Sequence, residues 1–280
     1  MKMFMSIILV SILCLMFFSY NSSANIVTDG LVSYWTFDQK DIEGKSVKDV
    51  WGKNNGTIVG APNVVEGKVG DALEFDGSDD YVNLTNLGDY GEKIGKSTFE
   101  AWVKTSFSDD WTSLFKVLDD GCNMAWAIDV NRSAKAGFPL AKDIVHFYIR
   151  QNAAAGCNDI AVEIEYGLSD GKWHHIVFAV EDAAEAKISA YIDSEVQEII
   201  VGKEKNLEEF ISFVRPVYIG AANNRGKVER HFPGLIDEVR IYDRPLTAGE
   251  VTQNFRSKVG LSVEAIEKLT TIWGTLKSEI

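Results

Sequence analysis

Two histidines stand side by side in GKWHHIVFAV, at His174 and His175, and two glutamates stand one residue apart in VEIEYG, at Glu163 and Glu165. Adjacent histidines suggest a metal site or a general base. Paired carboxylates suggest hydrolysis of a glycosidic bond, which places two carboxyl groups about the bond to be cut. Whether either pair does chemistry depends on the backbone beneath it. Both lie in segments that alternate apolar and polar residues with period two, the pattern of a strand. Neighbours on a strand point to opposite faces, so His174 and His175 cannot meet at one metal or substrate atom without a bulge. One reads as hydrogen-bonded and half-buried, the other as lining an outer face. Glu163 and Glu165 do share a face, but Gly167 follows Tyr166 and no third acid continues the row. Two outward glutamates on a solvated strand account for them. No serine or cysteine nucleophile with a matching base is recognisable.

The same alternation runs through most of the chain. In DIVHFYIRQ it sets Val145, Phe147 and Ile149 against His146, Tyr148 and Arg150, and in STFEAWVKT it puts Phe99, Ala101 and Val103 on one face. Segments 31–37, 71–75, 80–84, 112–118, 124–130, 187–195, 215–220 and 235–242 also read as strands. Asp-Gly, Asn-Gly, Asn-Asn and Gly-Lys turns separate them. Many short strands with almost no helical period before residue 246 predict an all-β fold. Its length and long loops favour a two-sheet antiparallel jelly-roll sandwich over a smaller immunoglobulin-like domain. The helical signal comes at the end. Thr247 and Glu250 have the spacing of a capping box, with Val251 and Phe255 following at helical intervals. Residues 257–280 read as an amphipathic tail, with Val263, Ile266, Leu269, Trp273, Leu276 and Ile280 on one stripe interrupted by Gly274.

The first 24 residues have one charge, Lys2, an apolar run from Met3 to Phe18, and small residues at Ser22, Ser23 and Ala24. They read as a secretory signal peptide cleaved after Ala24. The apolar run is short for a retained anchor. Cys14 lacks the small residue that a lipid-attachment site wants before it. The remaining 256 residues divide into a domain over 25–256 and the tail. They keep all 41 acidic residues and 27 of the 28 basic ones, a net charge of −14. That balance disfavours nucleic acid and anionic membranes and suits a soluble exported protein. Two cysteines remain, Cys122 and Cys157. In an oxidising compartment they read first as a disulfide, with two buried thiols as the alternative.

DGKWHHIVFAVED followed by ISAYIDSE resembles the hallmark strand pair of the laminin G-like jelly roll, within the concanavalin A-like lectin/glucanase superfamily. GLVSYWTFDQ (30–39), GKVGDALEFDGSDDYVNL (67–84) and FPGLIDEVRIYDRPLTAGEV (232–251) resemble its first, second-to-third and closing elements. Ser194 stands where the family often has glycine, a mild departure. The resemblance spans about residues 30–256. It implies fold more than activity, because this fold hosts lectins, enzymes and adhesion modules.

Glucanases of this fold carry acids two apart on one strand, and Glu163 and Glu165 are the one tempting candidate with that spacing; the pattern stops there, so the expectation is a non-enzymatic binding module. Loop aromatics that stack on sugar rings would carry glycan recognition. Trp51, Tyr90, Phe107, Trp111 and Phe232 are the candidates, with Trp111 preferred and Trp51 and Phe232 beside it. Adhesion to an extracellular protein through the same loops is the alternative.

The last expectation is a cation. Uninterrupted alternation in LIDEVRIY puts Asp237 on the inward face with Leu235, Val239 and Ile241, and a charge there needs a partner. The resemblance brings Asp38, at the end of the first strand, near it and implies a structural calcium in that neighbourhood. Asn55 would supply another hard oxygen ligand. Without calcium, Asp237 would accept backbone N–H groups or pair with Arg240 or Arg244.

Overall fold

The computed structural model describes residues 25–84, 87, 96–108, 111–117, 126–130, 144–153, 156–183, 185, 187–203, 216–224 and 226–258, excepting the side chains of 126, 150–159 and 201–203. Two antiparallel sheets face each other. The eight-stranded sheet comprises β1 (Leu31–Trp35), β5 (Asn63–Glu66), β6 (Asp71–Asp76), β8 (Ser97–Lys104), β13 (Trp173–Asp182), β14 (Lys187–Ile192), β15 (Glu195–Val196) and β20 (Pro233–Tyr242). Its order is β15-β14-β13-β8-β20-β6-β5, with β1 also paired to β20. The ten-stranded sheet comprises β2 (Ile42–Glu43), β3 (Ser46–Val47), β4 (Gly56–Val59), β7 (Tyr81–Asn83), β9 (Thr112–Val117), β10 (Trp126–Val130), β11 (Ile144–Ala153), β12 (Gly156–Glu165), β16 (Ile200–Lys203) and β17 (Val217–Ile219). Its order is β16-β12-β11-β10-β9-β17-β7-β4-β3-β2. A separate ribbon pairs β18 (Ala222–Asn224) with β19 (Lys227–Glu229).

Period two in the sequence becomes one buried face per strand. Phe99, Ala101 and Val103 of β8, Ile176, Phe178 and Val180 of β13, and Val239 and Ile241 of β20 enter the core from one sheet. Phe115, Ile128, Phe147 and Val162 enter it from the other. Phe99 meets Phe115 with ring centroids 4.8 Å apart, and Phe147 stacks on Phe178 at 4.9 Å. These two contacts cross between the sheets, and burying each ring contributes on the order of 1.5–3 kcal/mol. The expected sandwich is the observed fold.

The α-helix among the described residues, α1 (Ala248–Arg256), begins with the expected capping box: Thr247 accepts from the Glu250 N–H, and the Glu250 carboxylate accepts from the Thr247 N–H. Arg244 clamps the same carboxylate through two nitrogens and, with the capping bonds, holds its pKa down at about 2. So anchored, α1 lies across the outer face of the eight-stranded sheet. Val251 and Asn254 are buried, and Phe255 stacks on Trp102 with centroids 5.3 Å apart. Ile26, Val27 and Leu31 complete the cover with Tyr34, Val177, Tyr191, Tyr242 and Leu246. Apart from Ser257 and Lys258, the tail lies outside the described residues, as do the first 24. Among the described residues no helix is long and apolar enough to cross a membrane.

Alternation in β20 is not continuous. Between Asp237 and Arg240 the register with β8 shifts, and Glu238 has φ 54°. This bulge gives Ile236 and Val239 the same inward side. Asp237 therefore leaves the core face, contrary to the expectation from even spacing, and joins the covered outer face of the sheet.

Candidate functional site

The outer faces of the two sheets carry different chemistry. Behind the eight-stranded sheet, Arg240 is fully buried. It donates to Glu100 at 2.7 Å and to the Tyr34 hydroxyl at 3.2 Å, and it pairs with Glu238. Tyr34 donates to Glu238 at 2.6 Å. Asn254 of α1 donates to both Glu100 oxygens, at 2.9 and 3.0 Å, and accepts from the Val27 N–H at 2.7 Å. Burial pushes the Glu100 carboxyl up, but Arg240 and His175 outweigh it and hold its pKa at about 2. These groups neutralise one another beneath α1. The network joins chain ends and strands, and it is structural.

The two histidines face opposite ways, as alternation requires. His174 bridges Asp193 at 2.7 Å and Asp170 at 3.1 Å near the end of the sandwich. His175 lies under α1, its Nε2 3.5 Å from Glu100 and its ring 5.1 Å from that of Trp102. They share no ligand position.

Asp38 and Asp237 do come to the same place, the turn joining β5 to β6. Asp237 Oδ2 accepts from the N–H groups of Lys68 and Val69 at 2.8 and 3.0 Å, and Asp38 Oδ1 accepts from Asp71 at 2.8 Å. Glycine is required there. A Cβ on Gly67 would stand 2.7 Å from Asp237 Oδ2, and one on Gly70 would stand 2.1 Å from Asp38 Oδ1. Asn55 is elsewhere, accepting from the Asp49 N–H at 2.9 Å. The Lys40 ammonium, 2.8 Å away, takes the other Asp38 oxygen, while Asp237 Oδ1 has no hydrogen-bond partner. Asp38, Asn55 and Asp237 therefore are not brought together as one ligand set, and two backbone donors meet one oxygen of Asp237. A different acidic group, Asp76, Asp79 and Asp80, brings ligand oxygens within 4.8 Å of one another and could hold a metal ion.

The loop aromatics also separate. Phe232 is fully buried in the core, which corrects its placement among exposed stacking residues. A strand-flanking phenylalanine before Pro233 fills the interior because the closing strand begins there. Trp51 is half-buried against the cluster beneath α1, in a loop organised by Asp49, whose carboxylate accepts the N–H groups of Tyr34, Trp51, Gly52 and Asn54. Tyr90 lies outside the described residues. Trp111 stays half-exposed. The Arg230 guanidinium sits 3.9 Å from its ring centroid, and the His146 ring meets it edge-on at 6.2 Å.

Trp111 marks one margin of a polar face on the ten-stranded sheet. Ile128 and Val130, Val145 and Phe147, and Val162 and Ile164 point into the core, so Asp129, His146 and Glu163 point away from it. Strand register places Ser113 opposite Asp129, Asp129 opposite His146, and His146 opposite Glu163. The next row across the same face sets Tyr218, Lys116, Ala127, Tyr148 and Ala161 side by side. The Lys116 ammonium stands 5.4 Å from the Tyr148 ring centroid. Glu163 is fully buried whereas Glu165 is exposed, so the pair is not the solvated one expected. Alternation reveals which face a residue takes but not what burial that face has. Cys157 belongs to β12, Cys122 lies outside the described residues, and the bridge between them is not placed.

A family model described as the concanavalin A-like lectin/glucanases superfamily, of laminin G type, matches residues 76–252. The chain belongs to this family. No curated protein sequence matches it. Among solved structures, this laminin G-like chain is similar to domain 4 of AbnA, an extracellular arabinanase from Geobacillus stearothermophilus, in complex with arabinotriose. The TM-score is 0.54 at 18% identity, covering 80% of this chain and 97% of that one. It is also similar to the binding domain of botulinum neurotoxin DC in complex with SialylT, with TM-score 0.57, 14% identity, and coverage of 82% of this chain and 52% of that one. The same toxin domain in complex with rat synaptotagmin II gives TM-score 0.56 at 14% identity, with coverage of 82% and 52%. The laminin G-like chain thus spans about half the length of the toxin binding domains. These neighbours bind glycans and a protein receptor, and the superfamily also contains glucanases.

Proposed function

We propose that this laminin G-like domain is an exported, non-catalytic module that recognises carbohydrate at the end of the ten-stranded sheet where Trp111 sits. The observation that carries the reading is the half-exposed Trp111 ring, braced by Arg230 and His146, at the margin of a row of buried polar side chains. A rigid aromatic ring beside hydrogen-bonding groups suits a sugar, whose faces are apolar and whose rim is hydroxylated. The arabinotriose and SialylT complexes of the structural neighbours support the same ligand class. A non-catalytic role fits the unequal setting of Glu163, buried, and Glu165, exposed, which is unlike two acids sharing one groove. The synaptotagmin complex supports the second reading, recognition of an extracellular protein.

A glycan array probed with the mature protein, with and without millimolar calcium, tests this. Saturable binding to one saccharide group is expected, and Trp111→Ala should weaken it about 30-fold, the effect of losing roughly 2 kcal/mol. Capture of a partner protein with no saccharide bound would favour the adhesion reading instead. If calcium has a structural role, the Asp76, Asp79 and Asp80 group is its proposed site. The same samples should then melt higher with calcium, and Asp80→Asn should remove the increase.

The exported state also predicts a Cys122–Cys157 disulfide. Closing a loop of about 35 residues would contribute roughly 3–4 kcal/mol in the chain-entropy view. Non-reducing peptide mapping of exported protein should recover the cross-linked pair, and two alkylatable thiols would exclude it.

A further inference from the structure

We propose that Asn55, in the loop between β3 and β4, is an attachment site for an N-linked glycan. This rests on the exported reading and goes beyond it.

Asparagine takes such a glycan where serine or threonine stands two places on and the residue between is not proline. Past residue 24 three triplets qualify: Asn55-Gly56-Thr57, Asn83-Leu84-Thr85 and Asn131-Arg132-Ser133. Transfer joins the asparagine Nδ2 to the anomeric carbon of a lipid-pyrophosphate-linked oligosaccharide. The anomeric C–O bond breaks, the lipid pyrophosphate leaves, and Nδ2 gives up one proton. The finished fold must then keep Nδ2 in solvent and leave room for a bulky polar group. The third triplet lies outside the described residues, so the first two can be compared.

Asn55 and Thr57 are both exposed, with Gly56 buried between them as β4 begins. The two ends of the Asn55 amide have different tasks. Its Oδ1 accepts from the Asp49 N–H at 2.9 Å, whereas among the described residues no acceptor meets Nδ2. The carbonyl fixes the side chain and the nitrogen is left for the glycosidic bond. Attachment at Nδ2 keeps Oδ1 as an acceptor, so the anchor to Asp49 survives it. Asp49 in turn gathers the N–H groups of Tyr34, Trp51, Gly52 and Asn54, which makes the loop a fixed mount.

Room is available as well. Asn55 lines an open cavity of about 450 Å³ with Glu43, Ser46, Lys48 and Lys53, whose polar groups suit the hydroxyls of the first sugars. The cavity reaches β2, the edge of the ten-stranded sheet, which β3, β4, β7 and β17 separate from β9. A glycan there leaves the Trp111 end clear. Asn83 is placed differently. It lies within β7 between β4 and β17, half-buried and already engaged, so a glycan would have to rise from between two neighbouring strands.

The test produces the full chain, with its own first 24 residues, in a eukaryotic secreting cell line that supplies the lipid-linked donor. Peptide mass spectrometry of the exported protein should find most Asn55 peptides glycosylated and Asn83 bare. Peptide-N-glycosidase should remove the sugar and convert Asn55 to aspartate. Thr57→Ala should abolish the modification while Asn55 and its bond to Asp49 stay in place, and Thr57→Ser should retain it. Both variants change only an exposed side chain, so the protein should still fold and be exported. A mature chain beginning at Asn25 with Asn55 bare overturns the proposal and leaves the exported reading standing. A glycan on Asn83 in place of Asn55 also overturns the proposal alone. Retention in the cells with the first 24 residues uncleaved and no glycan overturns both.

Discussion

Arg240→Met should cost about 3–5 kcal/mol of folding stability, because it leaves Glu100 and Glu238 buried with no cation between them. The loss is one of compensation rather than of packing, since methionine fills much of the same volume. Urea unfolding at neutral pH measures it directly. A change below about 1 kcal/mol would mean that the cluster beneath α1 is not a charge-balanced unit. The same cluster has a pH signature. Glu100 is held at about 2, below its ordinary value, so its contribution is fully present above about pH 4.5 and is lost as pH falls toward 2. Acid unfolding in that window should therefore loosen α1 early, and fluorescence of Trp102, stacked under Phe255, is positioned to report it.

Asp237→Asn should stabilise the protein at alkaline pH. Burial, reinforced by neighbouring Glu238, pushes the Asp237 carboxyl up to about 8 against the two N–H groups it accepts. The folded state therefore keeps a proton that the unfolded chain gives up near pH 4. The associated stability is present below that pH and declines as pH rises toward 8, by at most about 1.4 kcal/mol per unit and on the order of 5 kcal/mol in all. Asparagine can accept the same two N–H groups and has no proton to lose. Denaturant midpoints for the two proteins should thus diverge in favour of the variant between pH 5 and 9. Parallel curves across that range would refute the assignment.

The sandwich was legible because strand alternation is a local property that burial enforces on nearly every strand. So was the capping box, since Thr247 and Glu250 act within one turn. An even count gives β20 the wrong phase, because the bulge at Glu238 interrupts it. The apolar positions Ile236, Val239 and Ile241 are spaced three and then two apart, and that jump around Asp237 and Glu238 was the available sign of the bulge. Phe232 departs from expectation for a related reason, because a residue beside a turn signal can still face inward. Asp129 was visible as a lone acid in the apolar strand MAWAIDV. The row it shares with Ser113, His146 and Glu163 draws on three other strands, and register between strands is not written in any one of them. Arg230 over Trp111 is likewise a contact between residues far apart in the chain.

Asn25 and Val27 are hydrogen-bonded to Gln253 and Asn254, so the chain enters and leaves the sandwich at neighbouring points behind the eight-stranded sheet. The polar row and Trp111 belong to the sheet on the other side of the core. This separation sets a polarity of mounting. A tether at either end pulls on the back of the module, directly against α1 and the strands beneath it, and leaves the opposite side turned outward. Joined to a larger assembly or a surface, the module would present its Trp111 side to whatever passes and bear mechanical load through the buried Arg240 cluster.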